Sequence, residues 1–235
     1  MFLAKYVFFA SFLLVNISAI AQSNILGIGA GGGAMQSYGD ADNSLNFQPA
    51  LQVQLDIKLS KRFSLLTEFH ASKLVNGNYD ISSVTQPFYA RYFVTNISGV
   101  STAVTFYVFS FDKNAKSWQQ ALKSLYAGFG VGLEHVNVLS IRTKATLANG
   151  DKYLFRAIGS PDLQLSIPVI AGFNYYLPQS PLAIGLRAQL GIVPQDELEG
   201  YYTNINGKPD LYGLGTISLK YYFQKSSQFN SNKGF

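Results

Sequence analysis

The chain has 235 residues, no cysteine, and charged side chains at only 13% of its positions, against 48% hydrophobic ones. Because soluble domains average about 25% charged residues, the chain is charge-poor, yet it is not apolar enough for a bundle of membrane helices. The absence of cysteine excludes a disulfide scaffold, a thiol nucleophile and a thiolate metal site, and the mild net charge of +5 gives no reason to expect a nucleic-acid partner.

The first 21 residues predict a secretion signal that is cleaved before Gln22. A single positive charge at Lys5 precedes the apolar run Tyr6–Val15, and Ala19-Ile20-Ala21 matches the small-residue pattern of a cleavage site. The run is too short for a membrane helix, which needs about 20 apolar residues. No later run approaches that length, so we expect a mature chain that leaves the cytoplasm and is either soluble or a membrane barrel.

Alternation of apolar and polar residues predicts β-strands. In Leu51–Leu59 every odd position is Leu, Val or Ile, and every even position is Gln, Asp or Lys. This period of two describes a strand with one apolar and one polar face. The predicted strands are Ser23–Gln36, Leu51–Leu59, Phe63–Lys73, Ser101–Phe111, Leu125–Asn137, Gln164–Leu177, Leu182–Ile192 and Tyr212–Phe223. The pattern leaves the facing of the fourth strand ambiguous.

The connections between these strands alternate in length. Ser60–Arg62 and Pro178–Ser180 are short turns, and the longer, polar connections are residues 37–46, 75–97, 138–162 and 193–210. Short periplasmic turns and longer extracellular loops are typical of outer-membrane barrels. The sequence therefore predicts an all-β, eight-stranded, antiparallel up-and-down transmembrane β-barrel over residues 22–223, followed by a polar tail over residues 224–235.

Two connections have features of their own. Asn149-Gly150 is a turn signal that predicts a separate hairpin within the long connection 138–162. Asp112–Ser124 is predicted to form a short periplasmic helix, in which Trp118 would suit the level of the lipid headgroups.

The polar faces of the strands are expected to point into the barrel. The opposite faces consist almost only of Leu, Ile, Val, Ala and Phe, which suits contact with lipid, whereas a soluble barrel needs its polar side chains outside. Two glycine rows, Gly27–Gly33 and Gly128–Gly132, share the inward face on opposite strands. Two facing rows would leave room for larger inward side chains from other strands or flatten the barrel section; the alternative is that the glycines simply relieve twist and crowding.

The strand sequences carry a family resemblance. SIPVIAGFNYYL (166–177), LAIGLRAQLG (182–191) and the closing LGTISLKYYF (214–223) resemble those of the porin-family or OmpA-like outer-membrane β-barrel proteins of Bacteroidota. Tyr221-Tyr222-Phe223 fits the aromatic girdle of such barrels. The resemblance implies a barrel in the cell outer membrane of a Gram-negative-type bacterium. It implies no OmpA-type anchoring role, because no peptidoglycan-binding domain follows.

Charged side chains on the inward face are candidates for ion pairs in the lumen. Glu68 and Arg187 each lie five positions after the short-turn start of their strand, and these strands face each other in an eight-membered ring. The two charges should therefore meet at the same height. Further lumen candidates are Asp56, Lys58, Lys220, Glu134 and His70. We interpret the set as a plug, because a buried unpaired charge costs several kcal/mol; the alternative is a gate for a small pore.

No pattern in the chain predicts catalysis or cofactor binding. Gly27-x-Gly29-x-x-Gly32 matches a dinucleotide fingerprint in letters only, because it does not open a helix in a βαβ unit. The two histidines, His70 and His135, have acidic neighbours but no metal-ligand spacing. We therefore expect no catalytic, cofactor or metal site.

The polar outer loops hold the remaining candidates for contact with partners. Tyrosine mixed with charge is typical of contact surfaces and equally of an aromatic belt. The loop candidates are Tyr79, Tyr89, Arg91, Glu197, Tyr201 and Tyr202.

The resulting hypothesis is a non-enzymatic outer-membrane barrel with a filled, charge-plugged lumen. It would act as a structural or interaction protein through its extracellular loops, or as an accessory subunit of a larger outer-membrane complex. The alternatives are a narrow pore for ions or small solutes and, third, a barrel hydrolase acting on lipid or peptide. Outer-membrane lipid is the expected partner, nucleic acid is not, and the oligomeric state stays open.

Overall fold

The computed structural model describes residues 25–38, 46–77, 91–109, 122–143, 154–155, 162–177, 180–194, 198, 201–202 and 209–224. Its strands are β1 (Ile25–Tyr38), β2 (Gln48–Lys58), β3 (Phe63–Gly77), β4 (Arg91–Tyr107), β5 (Tyr126–Thr143), β6 (Leu154–Phe155), β7 (Asp162–Tyr176), β8 (Leu182–Val193), β9 (Tyr201–Tyr202) and β10 (Asp210–Gln224). Within these ranges no helix is long and apolar enough to cross a membrane.

The eight long strands close into one antiparallel barrel in the order β1-β10-β8-β7-β5-β4-β3-β2. β1 pairs with β2 on one side and with β10 on the other, so the sheet has no open edge. The predicted eight-stranded antiparallel barrel is confirmed. β1 and β5 lie opposite each other in the ring, as do β3 and β8.

Serine side chains hold the two short turns at one end of the barrel, which we call the short-turn end. The Ser60 hydroxyl accepts hydrogen bonds from the backbone N–H groups of Arg62 at 3.2 Å and Phe63 at 3.1 Å. In the second turn the Ser180 hydroxyl accepts one from the N–H of Leu182 at 3.1 Å. Such side chain-to-backbone bonds favour turns over continued strand. The opposite end, which carries the longer connections, is the long-loop end.

Burial alternates along the strands and separates two faces. In β8 the residues Ala183, Arg187 and Gln189 are buried, while Ile184 and Leu186 between them are exposed. The same alternation resolves the ambiguous fourth strand. Its even-numbered residues from Thr102 to Phe106 point outward, and Ser101, Ala103, Thr105 and Tyr107 are buried inside.

Several predicted boundaries at the long-loop end are wrong. β4 begins at Arg91, well before the predicted start at Ser101, and β3 continues to Gly77, because the ladder between them extends to the pair Gly77–Tyr92. Arg91 is therefore a strand residue and not a loop residue. At the short-turn end, the last barrel strand continues to Gln224, one residue further than the predicted end at Phe223.

Parts of two long connections pair with each other. Leu154–Phe155, between β5 and β7, pairs with Tyr201–Tyr202, between β8 and β10. Asn149-Gly150 of the predicted hairpin lies outside the described residues, so that hairpin stays a prediction. The same holds for Trp118 of the predicted periplasmic helix, of which only Leu122–Lys123 is described as helical. The signal segment and the tail beyond Gln224 are likewise outside the described ranges.

The glycine rows relieve crowding between neighbouring backbones and also leave room for inward side chains. A methyl group at Gly31 or Gly33 would overlap a carbonyl oxygen of β10, and one at Gly130 would overlap the Thr102 carbonyl of β4. These glycines allow neighbouring backbones to approach closely. By contrast, Gly29 leaves room for the inward side chains of Gln54 and Lys220, each of which lies 2.9 Å from the position that a methyl group would take.

We expect Gly33→Ala to destabilise the barrel by about 1–3 kcal/mol, because the added methyl group meets rigid backbone. The matched control is Gly32→Ala in the same strand, where the nearest atom lies at an ordinary 3.4 Å. Urea unfolding of both variants in lipid vesicles measures the difference. Equal stabilities would contradict the close approach of β1 and β10.

Candidate functional site: the polar lumen

An ion pair crosses the middle of the lumen between opposite strands. Glu68 projects inward from β3 and Arg187 from β8, and the Arg187 guanidinium contacts the Glu68 carboxylate. The guanidinium also donates to the side-chain carbonyl of Gln52 on β2. Both charged side chains are almost fully buried, so each needs its partner, since an isolated buried charge is costly.

His70 links this ion pair to a second carboxylate. Its Nδ1 lies 3.4 Å from Glu68 Oε1, and its Nε2 lies 3.0 Å from Glu134 Oε2 on β5. Glu134 Oε1 accepts hydrogen bonds from the Tyr212 hydroxyl at 2.6 Å and from the Ser166 hydroxyl at 2.8 Å. We call these connected side chains, from Gln52 and Arg187 through Glu68 and His70 to Glu134, Ser166 and Tyr212, the central cluster. They come from six barrel strands, β2, β3, β5, β7, β8 and β10.

Gly99 on β4 makes room for this arrangement. It pairs with His70 on one side and with Glu134 on the other. A methyl group at Gly99 would overlap the Glu134 carboxylate and lie 2.8 Å from the His70 ring. The glycine therefore permits the direct contact between the histidine and the carboxylate.

A second polar cluster lies at the short-turn end. Lys58 Nζ is 3.8 Å from Asp56 Oδ2, which also accepts a 2.8 Å hydrogen bond from the Tyr222 hydroxyl. Lys58 contacts the Tyr107 hydroxyl and lies 3.7 Å from the centre of that ring. Lys220 Nζ lies 5.9 Å from the centre of the Tyr126 ring. A cation over an aromatic face is a favourable arrangement in a dry environment.

The tyrosines of this cluster are not among the lumen residues predicted from the sequence. Tyr107 packs against Tyr126 with ring centres 5.7 Å apart, and Tyr176 packs against Tyr222 at 5.2 Å. The prediction that Tyr222 belongs to an aromatic girdle is wrong, because Tyr222 is buried in the lumen, while its neighbour Tyr221 is exposed. The alternation of the last strand carries this signal, because Tyr222 shares a face with Lys220.

The predicted loop candidates do not form a described site. Tyr79, Tyr89 and Glu197 lie outside the described residues. Tyr201 and Tyr202 form β9, and Arg91 begins β4.

The two histidines are also apart, because His135 faces outward and is exposed. Among the residues that the structure describes, no group of three or more histidine and carboxylate side chains could hold a metal ion.

The outward face of the barrel is apolar and exposed. Leu51 is 72% exposed, Phe129 71% and Ile217 61%, and they stand on different strands around the ring. A continuous exposed apolar surface marks a site of contact with a membrane or a partner. Polar side chains inside and apolar side chains outside are the reverse of a soluble barrel and match the membrane type.

The fold is shared with solved outer-membrane barrels of eight strands. The chain is similar to neisserial surface protein A, with 8% sequence identity, a TM-score of 0.53 and coverage of 84% of this chain and 97% of that chain. It is also similar to the attachment invasion locus protein Ail of Yersinia pestis, with 11% identity, a TM-score of 0.47 and coverage of 86% and 99%. For the N-terminal β-barrel domain of OprF from Pseudomonas aeruginosa the identity is 11%, the TM-score 0.41 and the coverage 86% and 98%.

At these identities the likeness concerns the fold alone, and we base it on the neisserial structure. No protein-family model matches the chain. No curated protein sequence matches it either.

Proposed function

We propose that the chain is an outer-membrane barrel with a closed lumen, which acts as a structural or interaction protein and not as an enzyme. The observation that carries this proposal is the filling of the lumen by paired side chains, with Glu68 and Arg187 in contact across its middle. The interior of an eight-stranded ring is just wide enough to be filled by side chains or to hold one small ligand. Here the inward residues from β3, β5 and β8 meet one another.

The proposed position in the membrane rests on the exposed apolar face and on barrel closure. Lipid offers no partners for backbone N–H and C=O groups, so a spanning sheet must satisfy them internally. The closed ladder from β1 to β10 does so. The long-loop end would then face the outside and present the connections that contact partners, as the loops of such barrels do.

The proposed closed lumen predicts that the unmodified chain leaves planar lipid bilayers insulating. We expect Glu68→Ala and Arg187→Ala to remain closed as well, because the central cluster contains several further side chains and the short-turn cluster is untouched. Single-channel recording in symmetric salt checks this. Discrete conductance steps in the unmodified chain would contradict the plug, and steps only in the two variants would favour the gate.

The interaction role predicts a partner that depends on the outer loops. We would compare pull-downs from detergent-solubilised outer membranes, using the unmodified chain and a variant with residues 203–208 replaced by glycine and serine. A stoichiometric partner lost in the variant supports docking through the loops. A partner kept by both chains places the contact on the barrel wall and supports the accessory-subunit role. Absence of any stoichiometric partner would leave a free-standing structural barrel.

A further inference from the structure

The lumen changes character at the long-loop end, where buried apolar side chains replace the charges. Met35, Leu74, Phe93, Val136, Val193 and Leu214 form one packed cluster there. They come from β1, β3, β4, β5, β8 and β10, so the cluster spans the mouth of the barrel from wall to wall. We call this cluster the outer apolar layer.

One residue packed in this cluster does not come from a barrel strand. Leu198 lies in the connection between β8 and β10 and is only 1% exposed, packed in the same cluster. Its sequence surroundings are Asp196, Glu197 and Glu199. A leucine in so polar a segment would ordinarily be solvent-exposed, so its burial requires specific contacts.

Both backbone groups of Leu198 are satisfied inside the mouth. Its N–H donates to Asp210 Oδ2 at 2.7 Å, and its carbonyl accepts from the Thr95 hydroxyl at 3.0 Å. Thr95 is fully buried on β4, next to the register shift between Val94 and Thr95. Because an unpaired buried backbone group costs about as much as a lost hydrogen bond, these two contacts stabilise Leu198 inside the mouth.

We propose that Leu198 seals the outer mouth of the lumen, and that this seal is separate from the ion pairs below it. An apolar constriction excludes ions and water by dewetting, without any charge. Wall residues pack with Leu198 in one cluster, and its backbone bonds to Thr95 on β4 and Asp210 on β10, two strands on opposite sides of the ring. The barrel would thus have two successive barriers, an apolar one carried by a loop residue and a charged one carried by the strands.

The seal can be tested by the reactivity of a cysteine placed directly beneath it. Thr216 is the next inward residue of β10 below Leu214, it is buried, and its hydroxyl has no hydrogen-bond partner within the described residues. Thr216→Cys therefore removes no described contact. Since the natural chain has no cysteine, a charged, membrane-impermeant methanethiosulfonate reports only on this position. The full chain is refolded into lipid vesicles for the measurement.

We expect slow labelling in Thr216→Cys alone. Adding Leu198→Ala should speed labelling by about tenfold or more, because the shortened side chain no longer fills the mouth and the open form becomes more populated. Adding Thr95→Val instead removes only one hydrogen bond to Leu198 and should give a smaller increase. This milder variant carries the test if Leu198→Ala does not fold, as judged by heat-dependent migration on gels.

The matched control is Leu66→Ala, which shortens a buried leucine of a different lumen cluster with Ala103 and Ile170. Its labelling rate should stay near that of Thr216→Cys alone. Fast labelling before any change at Leu198, no acceleration by Leu198→Ala, or equal acceleration by Leu66→Ala would each overturn the seal. The seal rests on the proposed closed lumen, and conductance of the unmodified chain would overturn both. Fast labelling of a chain that leaves bilayers insulating would overturn the seal alone, so the two failures are distinguishable.

Discussion

Glu68→Leu should destabilise the folded barrel by about 3–5 kcal/mol, because it leaves the Arg187 guanidinium buried without its carboxylate. Arg187 keeps a hydrogen bond to Gln52, but a neutral amide does not compensate a full charge in a dry interior. Urea unfolding of the refolded chain in lipid vesicles measures the loss.

Arg187→Met should cost less than Glu68→Leu. The Glu68 carboxylate that remains still contacts the His70 ring, with Nδ1 at 3.4 Å, whereas the guanidinium left behind in Glu68→Leu keeps only the neutral amide of Gln52. The control is Thr216→Val, a neighbour of Arg187 across the ladder whose hydroxyl has no partner within the described residues. It should change stability by about 1 kcal/mol or less. Equal losses in all three variants would contradict the ion-pair assignment.

Glu134→Leu should lower the free energy of unfolding by about as much as Glu68→Leu does. The carboxylate accepts hydrogen bonds from Tyr212 and Ser166 and pairs with His70, so its removal leaves three buried groups without their acceptor. Each unsatisfied buried group costs about 1–3 kcal/mol. The combined loss should be about 3–5 kcal/mol, measured by the same urea titration.

Two further variants separate this cause from a loss of volume. Glu134→Gln retains a carbonyl oxygen that can accept one hydrogen bond, so it should lose less than Glu134→Leu. Gln164 pairs with Glu134 across the ladder, and the side-chain amide atoms of Gln164 have no hydrogen-bond partner within the described residues. The second variant is Gln164→Leu. Because it removes no described contact, it should be neutral or stabilising. A large loss in Gln164→Leu would mean that packing, and not hydrogen bonding, dominates here.

The fold could be predicted from the sequence wherever the two faces of a strand differ in polarity. Leu51–Leu59 alternates without exception and falls on β2, apart from one residue at the end and the added start from Gln48. The first half of β4 escapes prediction because Arg91–Val100 mixes polar and apolar residues without such contrast. Backbone pairing with β3, which no local pattern encodes, extends that strand.

The candidate site was predictable in part from the positions of its residues along their strands. Equal distances from the turns place Glu68 and Arg187 at one height on opposite strands, and the structure brings them into contact. The hydrogen-bonding roles of Tyr212 and Ser166 depend on which inward side chains meet across the ring, which alternation alone does not determine. Leu198 carries no periodic signal, since it is a single leucine in a polar connection.

A double-mutant cycle between Glu68 and Arg187 tests the central claim most directly. It compares the free energies of unfolding of the natural chain, Glu68→Leu, Arg187→Met and the double variant. If the two side chains neutralise each other in the lumen, the double variant should be more stable than the sum of single losses allows, by about 2–3 kcal/mol. A coupling energy near zero would contradict a stabilising ion pair between Glu68 and Arg187 across the lumen.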